Sequence, residues 1–306
     1  MTGLFDSKSE KQAFSTVRSH WYRYLDVYPH IPVRSALGYE QLMNLPISAK
    51  AKEYLLKTEF DFVVCDRDRA STVILAIEFD GLGQGFSRDG SYIQREDTHD
   101  PHRKLKLDTK ISACELCDLP IVVVSYDETE TSLYPDDPAY PVTVLDAVIG
   151  EVLAGRNRQE LVNSNLNELG EILATDPSRD TAFSHLIDLE VTAEQENPIR
   201  RRITQMKMEL PVSFGQQIHP LHDRPGYVGS RQSILGGIEV SGQSCRQQVL
   251  LNYDAYVRTV NCLGCSAFDL ATLLAEYGLS RKAIRTVGRS REAWEKLRNE
   301  TPFTEI

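Results

Sequence analysis

Glu78 and Asp80 close a single apolar run, Thr-Val-Ile-Leu-Ala-Ile-Glu-Phe-Asp at 72–80. Asp61 opens the run before it, Asp-Phe-Val-Val-Cys at 61–65, and Lys110 follows on the next expected helix. Strand side chains alternate with period two, so Glu78 and Asp80 share a face while Ile77 and Phe79 point the other way. Like charges gathered in this way call for a compensating cation. A hard divalent ion such as Mg2+ or Mn2+ takes oxygen ligands and suits them. It can orient a phosphate and lower the pKa of a bound water, which then attacks phosphorus. The Lys110 ammonium would stabilise the charge building up on phosphate or orient that water. An arbitrary Glu-x-Asp at a strand end is more often a solvated pair. Here both runs are strongly apolar, a Gly-rich loop follows at once, and a helix, a lysine and a buried strand come next in a workable order.

The elements that must position these residues are legible in outline. Ser7 and Glu10 have the spacing of a capping box, and Phe14, Val17, Trp21 and Leu25 recur at helical spacing, which predicts a first helix over 8–25. A proline-punctuated extended segment covers 27–34, with short helices expected at 39–45 and 48–57. Residues 60–65 and 72–79 pair as a hairpin across a polar turn. A loop with four glycines spans 81–100, a helix runs from Pro101 to about 117, and 120–125 is a buried strand. This order predicts an α/β fold: one mixed sheet flanked by helices. Further on, helices are expected at 142–154, 159–174 and 180–195, strands and loops over 197–260, and helix again over 267–299. A chain of 306 residues suggests two units. We divide it at the Pro/Asp/Tyr-rich stretch 126–141, into 1–140 and a C-terminal α+β domain of unknown fold at 141–306.

The layout resembles the PD-(D/E)xK nuclease superfamily, and within it a bacterial branch whose second motif reads Glu-x-Asp-Gly. The matching residues are Glu10 in Ser-Glu-Lys-Gln-Ala-Phe, Asp61 in Phe-Asp-Phe-Val-Val-Cys-Asp, Glu78 and Asp80 in Ala-Ile-Glu-Phe-Asp-Gly, Lys110 in Leu-Asp-Thr-Lys-Ile, and the strand Leu119-Pro-Ile-Val-Val-Val. The resemblance covers about residues 7–126. It implies a restriction-endonuclease-like fold in which Asp61 and Glu78 ligate Mg2+ or Mn2+, Asp80 and Glu10 assist, and Lys110 replaces the lysine usually found two residues after the glutamate. It implies hydrolysis of nucleic acid, DNA more than RNA, in DNA processing, restriction or phage defence. The related branch often has a histidine shortly after the motif; here that stretch is Leu-Gly-Gln-Gly-Phe, with His99 and His102 later in the loop. Lys106 shares a helix face with Lys110 and is its rival for the functional lysine.

Other signals carry less. Gly81, Gly83 and Gly85 follow a strand, but Phe86 stands where a dinucleotide fingerprint needs glycine. Cys114-x-x-Cys117 and Cys262-x-x-Cys265 lie too far apart in sequence for the usual four-cysteine zinc site, and the first pair suits core packing. Zinc is therefore not expected. A net charge of −10 gives no global attraction for nucleic acid, so binding needs local patches. Candidates are Arg200–Arg202 with Lys207, and Arg281, Lys282, Arg285, Arg289 and Arg291. Residues 268–286 read as an apolar helix, a glycine turn and a basic helix. Leu274 stands where a helix-turn-helix wants a small residue, which favours a helical hairpin with a solvated basic face. No secretory signal or membrane span is read, so a cytoplasmic protein with reduced cysteines is expected. The C-terminal part would recognise substrate or form a homodimer. Two other functions compete with a nuclease: an inert nucleic-acid or protein interaction module on the same fold, and a phosphoesterase acting on nucleotides.

Overall fold

The computed structural model describes residues 8–67, 72–80, 83–86, 92–94, 102–125, 142–164, 197–209, 213–220, 227–237 and 249–287, with short pieces between 170 and 184. Seven strands form one mixed sheet in the order β1-β2-β3-β6-β9-β8-β7. Strands β1 (Leu25–Pro32), β2 (Glu59–Asp66) and β3 (Thr72–Asp80) are joined antiparallel. Strands β4 (Gly83–Phe86) and β5 (Tyr92–Gln94) make a separate two-stranded sheet within the segment expected to be loop. Strand β6 (Ile121–Ser125) runs parallel to β3, and β7 (Ser213–Pro220), β8 (Tyr227–Gly237) and β9 (Val249–Val260) complete the sheet antiparallel.

Apolar faces of helices cover both sides, giving three layers. One core cluster joins α1 (Lys8–Trp21), α6 (Val144–Ser164), α7 (Pro198–Glu209) and α8 (Ala267–Val287) to Phe62, Val64, Leu75, Ile77, Val122, Val124 and Val257. The other joins α2 (Val33–Leu37), α3 (Tyr39–Asn44), α4 (Ala49–Lys57) and α5 (Arg103–Leu116) to Phe60, Val63, Ala76, Ile121 and Val123. The hairpin, the short helices, α5 and β6 lie where the sequence places them.

Several expectations need correction. The first helix stops at Trp21, and Leu25 already belongs to β1. The helices expected at 142–154 and 159–174 are one helix through Ser164, started by Thr143: its hydroxyl accepts from the Asp146 amide while the Asp146 carboxylate accepts from the Thr143 amide at 2.8 Å. Residues 198–209 are helical, not strand or loop. The division at 140 does not separate two cores, because β9 pairs with β6 and one cluster contains residues from both sides of it. There is no turn at Gly278: α8 is continuous, so neither a helix-turn-helix nor a helical hairpin exists there. The glycine costs about 1 kcal/mol in a helix interior. Burial of Tyr277, Leu279 and Ala283 to 1% exposure or less outweighs it.

Candidate active site

Strand register assembles the site. Phe62 pairs with Ile77, which brings Asp61 beside Glu78 and Phe79 at the open end of the hairpin. The Phe79 amide donates to Asp61 Oδ2 at 2.7 Å, fixing that carboxylate across the two strands. Ile77 and Phe79 face the α6 side, and Phe79 meets Phe62 edge-on with ring centroids 6.1 Å apart. Glu78 faces the other layer, under α5.

There it meets Lys110, which is buried like Glu78 itself. Lys110 Nζ donates to both Glu78 carboxylate oxygens, at 2.7 and 2.9 Å, and to the Glu59 carbonyl at 2.5 Å. The ammonium also lies 5.8 Å from the centre of the Phe60 ring. Lys106, one turn earlier, is only half-buried. The phase of α5 on the sheet thus brings Lys110, and not Lys106, to Glu78.

Burial, reinforced by the neighbouring Asp61 charge, pushes the Glu78 carboxyl up to about 8, against the pull of Lys110. Burial pulls the Lys110 ammonium down, but Glu78 and Asp61 more than offset it and hold it above its ordinary value. The arrangement is two adjacent carboxylates served by one ammonium. Electrostatically it is short of positive charge, which is the state a hard cation relieves. The donors are carboxylate oxygens, and they fit Mg2+ or Mn2+ by type.

Helix α1 is placed on the same sheet through β1, but the side chains of Glu10 and Asp80 lie outside the described part of the structure, as do Ser7 and His99. His102 is exposed at the start of α5. Among the described residues no three or more His, Cys, Asp and Glu side chains gather as for a metal ion. The two Cys-x-x-Cys pairs do come into one neighbourhood, close enough for Cys262 to raise Cys114 further. Burial pushes Cys262 up to about 12 and raises Cys265 as well, so these thiols are protonated and packed.

The basic patches are largely absorbed by packing. Arg202 is buried and pairs with Glu209 at 3.1 Å, and Arg200 donates to buried Glu151 at 2.9 and 3.1 Å. Arg281 is buried with its guanidinium 5.4 Å from the centre of the Tyr277 ring, so it is not a surface contact for DNA. Lys282 is half-buried, and the Arg285 side chain is outside the described residues. Among the described residues, no helix is long and apolar enough to cross a membrane. No protein-family model matches the chain, and no curated protein or solved structure matches it.

Proposed function

We propose that the protein is a metal-dependent nuclease with a restriction-endonuclease-like fold, hydrolysing phosphodiester bonds of DNA. The observation that carries this reading is the convergence of Asp61, Glu78 and Lys110, from β2, β3 and α5, at one end of a mixed sheet. Asp61 and Glu78 would hold Mg2+ or Mn2+, with Asp80 and Glu10 assisting. When bound, such an ion supplies a water acidic enough to act as nucleophile and neutralises charge on the phosphate. The chain's own part is preorganisation. The Phe79 amide aims the Asp61 carboxylate, α5 delivers the Lys110 ammonium, and the apolar layers beneath exclude water and strengthen every charge at the site. Once Glu78 turns to a cation, the Lys110 ammonium becomes available to a phosphate oxygen. The C-terminal part would serve substrate recognition or homodimer formation.

One observation favours an interaction module instead. Lys110 already satisfies both oxygens of Glu78, as in a closed structural ion pair. The two readings separate when plasmid, single-stranded DNA and RNA are incubated with the protein in Mg2+ or Mn2+, beside Glu78→Ala and Lys110→Ala. The nuclease reading expects cleavage by the wild type and loss in both variants. Absence of cleavage, or equal cleavage by Glu78→Ala, refutes it, and salt-dependent binding without cleavage supports the module.

A further inference from the structure

We propose that His30 is a substrate contact of this site, its imidazole N–H donating to a non-bridging phosphate oxygen; the identity of that substrate rests on the nuclease reading above. Three observations converge on this residue.

His30 has φ +52, inside a strand. The left-handed region is ordinarily filled by glycine, or by asparagine and aspartate. The other non-glycine residues of this kind among those described, Asp118 and Asn261, sit just after α5 and β9. A backbone outlier held within a strand is a reason to look for function at that position.

The outlier has a definite structural effect, which also defines where the side chain goes. Val27 packs in the α6-side cluster, but Ile31, four residues on, packs in the α5-side cluster. The partner strand does the same: Phe62 is on the α6 side and Phe60 on the α5 side. Both strands therefore exchange faces at one level. Pro29 pairs with Phe62 and Ile31 with Phe60, leaving His30 across from Asp61 at that crossover. A residue at a crossover is committed to neither core, so His30 and Asp61 are both left for the sheet end.

The third observation is continuity with the charged group. His30 Nδ1 lies 3.9 Å from Glu59 Oε2, and the Glu59 carbonyl accepts from Lys110. The imidazole is 23% exposed, enough to meet a ligand at the rim. His30, Asp61, Glu78 and Lys110 thus form an arc across β1, β2, β3 and α5. A neutral imidazole carries the one N–H the contact needs.

The backbone requirement and the side-chain role can be tested apart, because His30→Gly and His30→Asn both accept positive φ. Melting temperature, kcat/KM for DNA cleavage in Mg2+, and affinity for a fluorescent DNA duplex are measured. The affinity is read in a Glu78→Gln background, with and without His30→Gly. The expected result is an unchanged or higher melting temperature for His30→Gly, with cleavage and affinity both reduced about tenfold or more, the value of a hydrogen bond to a charged group. Wild-type cleavage that His30→Gly leaves intact overturns the His30 contact and leaves the nuclease standing. No wild-type cleavage, with duplex binding that His30→Gly weakens, overturns the nuclease and leaves the contact standing. Binding indifferent to His30, or activity lost only in step with melting temperature in both variants, overturns the contact.

Discussion

Glu78→Gln should stabilise the metal-free protein at neutral and alkaline pH while abolishing cleavage. The wild-type carboxyl titrates at about 8 in the folded chain instead of 4.5, chiefly through burial and then through Asp61. An acid raised in this way means that the folded protein holds a proton the unfolded chain has released. Stability is then unaffected below about 4.5, falls as pH rises above it, and reaches its full loss beyond about 8. At about 1.4 kcal/mol per pH unit, the penalty is roughly 3 kcal/mol at pH 7 and approaches 5 at its ceiling. Glutamine removes the titration but keeps an oxygen for Lys110 to reach. It also brings an amide N–H2 near the ammonium, so the expected gain is smaller, about 1–3 kcal/mol at pH 8. Urea denaturation in EDTA at pH 5 and pH 8 measures it. The wild-type and Glu78→Gln curves should converge at the lower pH and separate at the higher. Added Mg2+ should then stabilise the wild type and leave Glu78→Gln unmoved. Parallel pH profiles, or a variant less stable than wild type at pH 8, would show that Glu78 is a comfortable structural partner of Lys110 and that no charge deficit exists there.

Lys110→Met should cost about 3–5 kcal/mol, because it strands Glu78 beside Asp61 without its ammonium; Lys106→Met should stay within about 0.5 kcal/mol, and equal denaturation midpoints for the two would refute the assignment of the lysine. His20 is raised above 6.5 by its hydrogen bond to buried Asp146, Nδ1 to Oδ1 at 2.8 Å. Its contribution is therefore full below about pH 6.5 and lost as pH rises through the folded value, a slope in melting temperature that His20→Gln should remove. A Cβ added at Gly155 would sit 2.5 Å from the Gly264 backbone, where α6 meets the turn after β9. Gly155→Ala should accordingly lower stability by about 1–3 kcal/mol in thermal unfolding, and a neutral effect would mean that the turn yields freely.

What the sequence could and could not disclose follows from the range of each interaction. The hairpin that brings Asp61 to Glu78 is local: two apolar runs and a polar turn suffice to specify it. Choosing Lys110 over Lys106 required the rotation of α5 on the sheet, which a helix of mixed face does not encode by itself. The break at 126–141 suggested a boundary because composition is read locally, whereas the pairing of β6 with β9 joins segments more than a hundred residues apart. Arg202 and Arg281 looked like surface charge since their partners, Glu209 and the Tyr277 ring, are set by helix packing. His30 was the least legible residue. Nothing in Tyr-Pro-His-Ile-Pro announces a positive φ, and a histidine between two prolines in an extended run reads as an ordinary edge residue. Its significance depends on two strands changing faces together at the level of Asp61. That coincidence also explains why Asp61, in the middle of an apolar strand, can keep its carboxylate out of both cores and turn it to the Phe79 amide. The crossover thus frees a carboxylate and an imidazole at the same point, and a strictly alternating pair of strands would have consigned one of them to the core.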